Sequence, residues 1–230
     1  MVFVPASLTG QSIAERIAGA RFTERVQSEI ITQAGASERH RTVIRMAGFG
    51  VVARGDTLVV TTDTVALTES VDGTRTAIDV DAVIGARWKL LLDTRGVAAI
   101  IDRPFVPPTI ADVSDVGTAM DDFFPPAPPK LALGAVITDS AGRKWRRMSD
   151  SVGVERYHFT ATRRGTTRNA SDSVTVETSQ DASENTDLAW DPRRGPLAWT
   201  RSILMTVTTR FAGRTVRAQV DQRIIVRRKP

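Results

Sequence analysis

The sequence predicts a mainly β protein of the α+β class, built as a single curved antiparallel sheet or half-barrel. Most of the chain alternates polar and apolar residues over short stretches, which is typical of antiparallel strands with one solvated face. Turn-forming residues separate about ten such stretches. One proline-bounded segment, residues 105–129, shows helical periodicity instead, and the sheet is expected to wrap around it.

Length and composition predict one folded domain over residues 1–230. A hydrophobic fraction of 41% and a charged fraction of 25% are ordinary for a globular chain. The sequence contains no cysteine, which excludes disulfides, thiolate metal sites and thiol nucleophiles. No apolar run is long enough for a transmembrane helix. The first residues lack a basic region, so they are not expected to form a complete signal peptide.

The first half of the chain begins with a short helix over residues 7–18, in which Ile13 and Ile17 share a face and Gly19 ends the pattern. A first strand run follows over residues 20–103. Residues 22–32 fit both periodicities, and a strand is favoured because Gly19 breaks the helical phase. The Asp72-Gly73 pair predicts a tight hairpin turn.

The central helix is predicted over residues 109–124. Thr109 and Asp112 form a capping-box pattern, and Pro125 with Pro126 ends the helix. The apolar residues between them fall on one stripe at helical spacing: Ile110, Val113, Val116, Gly117, Met120, Phe123 and Phe124. Such a stripe requires an apolar surface, and the inner face of the sheet is the natural one.

A second strand run is predicted over residues 131–228. Its last two strands are the longest, and Ala212-Gly213 is predicted to join them. Residues 181–187 are entirely polar apart from one alanine and are predicted to form a loop.

Charge is distributed unevenly along the chain. Residues 1–130 carry 13 basic and 16 acidic side chains, whereas residues 131–230 carry 18 and 10, a net of +8. This asymmetry predicts a basic face in the second half, either as ordinary solvated strand surface or as a site for an anionic partner. The candidate residues for an anionic partner are Arg143, Lys144, Arg146 and Arg147. Trp145 among them is expected to face the core, so a nucleic-acid role is not favoured.

No catalytic signature is present in the sequence. The chain has two histidines, His40 and His158, and lacks the common hydrolase, phosphate-loop and dinucleotide motifs. We therefore expect a protein that is not an enzyme, with no catalytic residues, no metal site and no cofactor. Clustering of His158 with an acid and a serine would favour a hydrolase instead.

Large apolar and aromatic residues predict either a packed core or a cavity for an apolar ligand between the sheet and the helix. The candidate cavity residues are Trp88, Leu90, Val113, Met120, Phe123, Phe124, Trp145, Tyr157, Phe159 and Met205.

Four segments carry a resemblance to a known family: residues 13–27, 83–92, 120–129 and 188–199. With the layout of short helix, strand run, proline-bounded helix and second strand run, the chain resembles uncharacterised bacterial envelope proteins and the lipoprotein-carrier (LolA/LolB-like) superfamily. This resemblance implies an incomplete β-barrel, a periplasmic or otherwise extracytoplasmic location, and binding of lipid or an acyl chain. The sequence departs from the family's lipid-anchored members because it has no lipobox cysteine.

These observations together predict a monomeric, non-enzymatic envelope protein that binds a lipid or lipoprotein acyl chain between sheet and helix. Peripheral contact with a membrane is compatible with this prediction. The alternative is a structural or interaction module that docks an anionic partner or membrane surface through its basic C-terminal half.

Overall fold

The computed structural model describes residues 13–54, 57–93, 98–171 and 174–230. About two thirds of these residues lie in strands, as the alternation predicts. The strands are β1 (Arg21–Ala34), β2 (Ser37–Arg54), β3 (Thr57–Val71), β4 (Thr74–Ile78), β5 (Arg87–Leu92), β6 (Ala98–Asp102), β7 (Val136–Thr138), β8 (Lys144–Ser151), β9 (Val154–Ser171), β10 (Val174–Asp191), β11 (Gly195–Phe211) and β12 (Arg214–Arg228). Two short α-helices, α1 (Ile13–Ile17) and α2 (Pro108–Ala111), accompany them, with 3₁₀ turns at Asp81–Val83 and Val116–Thr118.

All twelve strands form one antiparallel sheet with the order β6-β5-β3-β2-β1-β12-β11-β10-β9-β8-β7, and β4 pairs with β3. The first strand of the chain therefore lies beside the last, at the centre of the sheet. Each strand run extends outward from that centre to its own edge, β6 on one side and β7 on the other. Strands from both halves of the chain thus share one sheet.

Local sequence signals placed most strands and turns correctly. Arg21–Ala34 is a strand whose burial alternates strictly over its first half, which confirms the favoured interpretation of residues 22–32. The turn between β3 and β4 holds Asp72 and Gly73 at φ of 47° and 87°, the left-handed conformation expected of this pair. Gly213 has a φ of 73° in the turn between β11 and β12.

The two edges of the sheet are connected by residues 103–135, which we call the crossing segment. This segment leaves β6, runs across one face of the sheet and enters β7. We call the face that it covers the inner face. Its aromatic residues contact strands on both sides of the centre, since the Phe123 ring lies 5.2 Å from that of Phe49 on β2 and 5.5 Å from that of Trp199 on β11.

The prediction of a continuous helix over residues 109–124 is wrong. Within these residues the structure has only the end of α2 and one 3₁₀ turn. Sheet side chains bond to carbonyls that a helix would use for its own bonds: Arg41 Nη2 donates to the carbonyls of Asp112 and Val113 at 3.1 and 2.9 Å. The buried positions nevertheless match the predicted stripe, because Ile110, Val116, Met120, Phe123 and Phe124 are all in the core.

Three further expectations need correction. The sheet has twelve strands rather than about ten. Residues 181–187 belong to β10, not to a loop, because their polar side chains either face solvent or pair with a charged neighbour on β11. The N-terminal helix is described only as α1, and residues 7–12 of the predicted helix lie outside the described residues. No helix in the described ranges combines the length and the apolarity needed to cross a bilayer.

Candidate functional site

The inner face of the sheet has two parts that differ in how they are covered. At the covered end, side chains of the crossing segment pack against β1, β2, β5, β9, β10 and β11 in one core cluster. The four central strands extend well beyond this cluster. Their inner side chains there are half-buried and belong to neither core cluster. We call this region the open strip: Ile30, Thr32, Val176, Thr178, Ala182, Met205, Val207, Thr209, Phe211, Val216, Ala218 and Val220.

The strand register shows that the open strip is continuous. Met205 on β11 lies opposite Val220 on β12 and Ala182 on β10, and Val220 lies opposite Ile30 on β1. Residues at alternate positions point to the same face, so these side chains form rows across four adjacent strands. The strip measures roughly 14 Å by 20 Å, from strand spacing and rise per residue. Its side chains are aliphatic, threonine and aromatic apart from Gln180, which lies between Thr178 and Ala182 on the same face and donates to the sulfur of Met205 at 2.7 Å.

Two cavities lie along the boundary between the covered end and the open strip. The larger, of about 580 Å³, separates residues 115–123 of the crossing segment from the sheet and is lined by Phe123, Ile203 and Ile224 among others. The smaller, of about 340 Å³, has Ile30 and Thr32 on one side and Val113 on the other. Charged and polar side chains also line both cavities, among them Asp122 and Gln222 in the larger and Glu69 in the smaller. The apolar strip therefore meets a polar boundary beneath the edge of the crossing segment.

A buried arginine holds the crossing segment at one side of the larger cavity. Arg45 on β2 is 3% exposed and donates from Nε and Nη2 to Glu24 Oε2 on β1, at 3.1 and 2.9 Å. Its Nη1 donates to the carboxylate of Asp115 in the crossing segment. One guanidinium thus joins two strands to the segment that covers them.

A second buried arginine also joins two strands to the crossing segment, on the other side of the sheet centre. Arg201 on β11 donates from Nε and Nη2 to the carboxylate of Glu184 on β10, at 2.9 and 3.1 Å. Its Nη1 donates to the carbonyl of Asp122 at 2.8 Å. We call these two groups, Glu24–Arg45–Asp115 and Glu184–Arg201–Asp122, the arginine clamps.

The ionised groups of the first clamp contribute more to the position of the crossing segment than to the free energy of unfolding. Burial raises the pKa of Glu24 above 4.5, against the opposing effect of Arg45 and with a further contribution from the negative charge of Asp115. Because the folded-state pKa is raised, the stability that Glu24 contributes falls as the pH rises from 4.5 to that pKa. Buried ion pairs of this kind specify geometry while their desolvation offsets much of their attraction.

The residues predicted to line a ligand cavity mostly form the packed core. Trp88, Leu90, Met120, Phe123, Phe124, Trp145, Tyr157 and Phe159 are all buried at the covered end. Val113 and Met205 are half-buried. The structure brings Val113 and Phe123 to the boundary cavities and places Met205 in the open strip. Their role in contacting a ligand stays a prediction.

The predicted anionic-partner residues divide into two pairs. Arg143 donates from Nε to Asp139 at 2.7 Å, and Arg147 bonds to Asp150 and Glu155 at 2.7 and 3.0 Å. These two charges are already neutralised by neighbouring carboxylates. Lys144 and Arg146 are exposed.

The adjacent acidic residues Asp121 and Asp122, in the middle of the crossing segment, both form ion pairs. Asp121 accepts from Arg103 at 2.6 Å, and Asp122 lies 3.2 Å from Arg163. The pair with Arg163 on β9 adds to the attachment of the crossing segment to the sheet, whereas Arg103 belongs to the segment itself.

A third cavity, of about 1010 Å³, lies at the opposite end of the covered region, where residues 127–132 leave the core. It is lined by charged groups as well as apolar ones, including Arg16, Lys130 and Arg147. Arg147 Nη1 donates to the carbonyl of Leu131 at 2.8 Å, so this arginine anchors the departing chain.

The histidines carry no catalytic arrangement among the described residues. His158 Nδ1 lies 2.9 Å from Asp187 Oδ1 on the outer face, without a bonded serine in the part of the chain that the structure describes. His40 contacts Glu38 at 2.7 Å. Within the described residues, histidines and carboxylates form no group of three placed to hold a metal ion.

The arginine clamps were not predicted from the sequence. The available signal was a charged residue at an inner position of an alternating strand. On the inner face, Glu24 lies between Phe22 and Val26. Arg45 likewise lies between Val43 and Ala47. Such a residue predicts a buried partner. The partner's identity depends on which strands are neighbours, which the pattern does not contain.

Comparisons with known proteins show similarity at the level of fold. No protein-family model matches the chain, and no curated protein matches it in sequence. A solved structure described as lipid-protein interactions in lipovitellin is similar, with a TM-score of 0.55 and 9% identity, over 93% of this chain and 25% of that chain. The chain therefore spans about a quarter of the length of that protein.

A structure of MucB in complex with MucA(peri) aligns over 94% of this chain and 91% of that chain, at 10% identity. Its TM-score of 0.11 carries no argument about a common fold. The resemblance to the LolA/LolB-like superfamily stays a prediction.

Proposed function

We propose that the protein binds an apolar ligand, a lipid or lipoprotein acyl chain, on the inner face of its sheet. The observation that carries this proposal is the open strip, an apolar surface beyond both core clusters. The largest contiguous apolar patch on a monomeric protein is typically on the order of a few hundred Å², and it is often a binding site. A twisted sheet of this width also curls, which would make the strip the floor of a trough.

The boundary cavities fit a ligand that enters from the open strip. An acyl chain lying along the strip would end at the larger cavity, where Phe123 and Ile203 offer apolar contact. The headgroup would meet the polar groups of this cavity, such as Gln180 and Gln222, because the arginines of the clamps are already paired with carboxylates. The fold similarity supports the proposal because the lipovitellin structure concerns lipid binding by that protein. The function here is binding by a monomer in the cell envelope, without catalysis.

A matched pair of substitutions tests the proposal. Met205 lies in the open strip, whereas its neighbour Leu204 projects from the outer face and is 47% exposed. Met205→Glu would place an unpaired carboxylate against the ligand, at a desolvation cost of several kcal/mol. We expect the affinity for a fluorescent long-chain fatty acid to fall at least about tenfold. Leu204→Glu should leave that affinity unchanged, and Met205→Leu should retain it.

Native mass spectrometry and organic extraction of the purified protein provide the second measurement. The proposal expects a co-purifying lipid, or a lipid that exchanges into the protein when added. Equal affinities for the two glutamate variants would contradict the site. Absence of any bound or exchangeable lipid from the wild-type protein would contradict the function.

A further inference from the structure

The outer face of the two central strands carries five exposed basic side chains. β1 contributes Arg21 and Arg25, and β12 contributes Arg223 and Arg227, followed by Lys229. We call these five residues the basic stripe. They come from the two ends of the chain, and only the pairing of β1 with β12 brings them together.

The strand register places the five cations on one face. Arg227 lies opposite Thr23, and Arg25 lies opposite Ile225, so cations alternate between the strands. The amide of Lys229 donates to the carbonyl of Arg21 at 2.7 Å, which continues the pairing past the end of β12. The stripe extends about 20 Å along the strands, from the rise per residue.

Among the described residues, no ion pair is formed by the five members of the stripe, as is also true of more isolated outer-face arginines such as Arg168 and Arg217. Elsewhere on that face, Arg164 pairs with Asp181 at 2.8 Å and Arg210 pairs with Glu177 at 3.2 Å. Unpaired like charges in this density repel one another. An anionic partner would remove that repulsion.

The residues beside the stripe have small and mostly uncharged side chains. On β2 the positions opposite Arg21 and Thr23 are Gly50 and Gly48. On β11 the positions opposite Arg227, Ile225 and Arg223 are small residues, Ala198, Thr200 and Ser202. The cations therefore project above their neighbours and can reach a flat partner.

Acidic groups border the stripe at two places. The carboxylate of Asp63 lies close to Gly50, beside Arg21. Glu29 and Asp221 face each other one row beyond Arg223. These three acids limit the stripe to the part of β1 and β12 that lies over the covered end.

Exposed apolar groups adjoin the cations. A groove of about 450 Å³ on the outer face is lined by Met148, Ile225 and the basic residues Arg156 and Arg227, and also by Asp187, which contacts His158. Met148 is 51% exposed, and Met46 on β2, opposite Arg25, is 56% exposed. Cations interleaved with exposed aliphatic groups, on a surface without aromatic side chains for stacking, fit a lipid surface better than a nucleic acid.

We propose that the basic stripe docks the protein onto an anionic membrane surface. The five cations contact lipid phosphates, and Met46, Ile225 and Met148 reach the boundary of the hydrocarbon region. This contact uses the face opposite the open strip, so it does not depend on the apolar-ligand proposal. It differs from docking through residues 143–147, where Arg143 and Arg147 are occupied by carboxylates.

Vesicle binding tests the docking. The wild-type protein is mixed with phosphatidylcholine vesicles that contain or lack phosphatidylglycerol, and the bound fraction is measured by flotation at low and high salt. Each basic residue near an anionic surface changes the partition by about fivefold. The triple variant Arg25→Gln, Arg223→Gln and Arg227→Gln should therefore bind the anionic vesicles about a hundredfold more weakly.

A control with the same net charge removes three exposed arginines that lie off the stripe: Arg75→Gln, Arg168→Gln and Arg214→Gln. Its binding should fall less than about fivefold, because only the long-range attraction changes. Circular dichroism should show the same fold and thermal midpoint for both triple variants, since all six positions are exposed. If the stripe variant does not fold, the salt and lipid dependence of the wild-type protein decides the question.

The outcomes that would overturn the proposal are distinct. Equal binding to neutral and anionic vesicles would do so, as would equal loss in the two triple variants. Duplex DNA that binds the wild-type protein as strongly and loses binding in the same triple variant would identify the partner as a polyanion instead. Met205→Glu should still bind anionic vesicles, which separates failure of docking from failure of the apolar-ligand proposal.

Discussion

The covered end and the open strip belong to the same strands and the same face of one sheet, yet they differ in packing. At the covered end Phe123 lies within 5.8 Å of the rings of Phe22, Phe49 and Trp199, and all four are buried. In the open strip Phe211 and Val207 are half-buried on the same strand as Trp199. Alternation of polar and apolar residues is similar in both regions, so alternation does not determine coverage. Coverage depends instead on the crossing segment and its arginine clamps.

The largest expected difference between the two regions is the cost of removing an aromatic ring. Phe123→Ala should lower the free energy of unfolding by about 4 kcal/mol, because it leaves a cavity among packed rings. Phe211→Ala should cost about 1 kcal/mol, since its half-buried ring loses less apolar contact. Urea denaturation of both variants measures the comparison. Similar losses would show that the open strip is packed as tightly as the covered end.

Breaking a clamp should have the next largest effect. Arg45→Met leaves Glu24 buried without its partner and releases Asp115, so we expect a loss of about 3 kcal/mol. Hydrogen exchange should accelerate in residues 112–123, because the crossing segment would lose an attachment. Arg75→Met is the control, since Arg75 is exposed on β4 and its loss should change stability by about 0.5 kcal/mol or less.

The double variant Arg45→Met with Glu24→Leu distinguishes the roles of the clamp. Replacing a buried ion pair by apolar residues is often close to neutral for stability. We therefore expect most of the lost stability to return while exchange of the crossing segment stays fast. Slow exchange in the double variant would show that the clamp does not position the segment.

A smaller, pH-dependent effect is expected at the edge of the covered end. Burial opposes ionisation of Asp139, but hydrogen bonds from Trp145 Nε1 at 2.9 Å and from Arg143 lower its pKa from 3.8 to about 2. A depressed pKa contributes stability above pH 3.8 that is lost as the pH falls towards 2. Asp139→Asn should lower the free energy of unfolding by about 1–2 kcal/mol at neutral pH.

The same substitution should have no effect once Asp139 is protonated in both states. Urea denaturation across the acidic range measures this convergence of the wild-type and variant curves. A constant difference at every pH would mean that the asparagine disturbs packing around Trp145 rather than charge. The open strip contains no titrating side chain, so the effect of Phe211→Ala should show no such pH dependence.

Much of the fold follows from local patterns. The turn at Asp72-Gly73 and the burial of Phe22 and Val26 follow from period-two alternation and turn chemistry. β10 was harder to recognise, because Glu184 and Thr186 occupy inner positions that are normally apolar. Their burial depends on Arg201 from the neighbouring strand, and a local pattern contains no information about neighbours.

In the crossing segment, helical periodicity predicted which side chains are buried but not the backbone conformation. The pattern correctly identified Met120 and Phe123 as core residues. It assigned the wrong backbone, because apolar spacing records which side chains need burial, not which groups satisfy the carbonyls. Here Arg41 and Arg201 bond to carbonyls of the segment, and a continuous helix does not form.

By itself the sequence determined a mainly β chain, most of its turns, and the apolar residues of the central segment. These features depend on residues close together along the chain. The tertiary structure decided that β1 lies beside β12, which assembles the basic stripe from the two ends of the chain. It also decided which part of the inner face stays open, because a connection between the sheet edges covers only the strand length that its own residues can span.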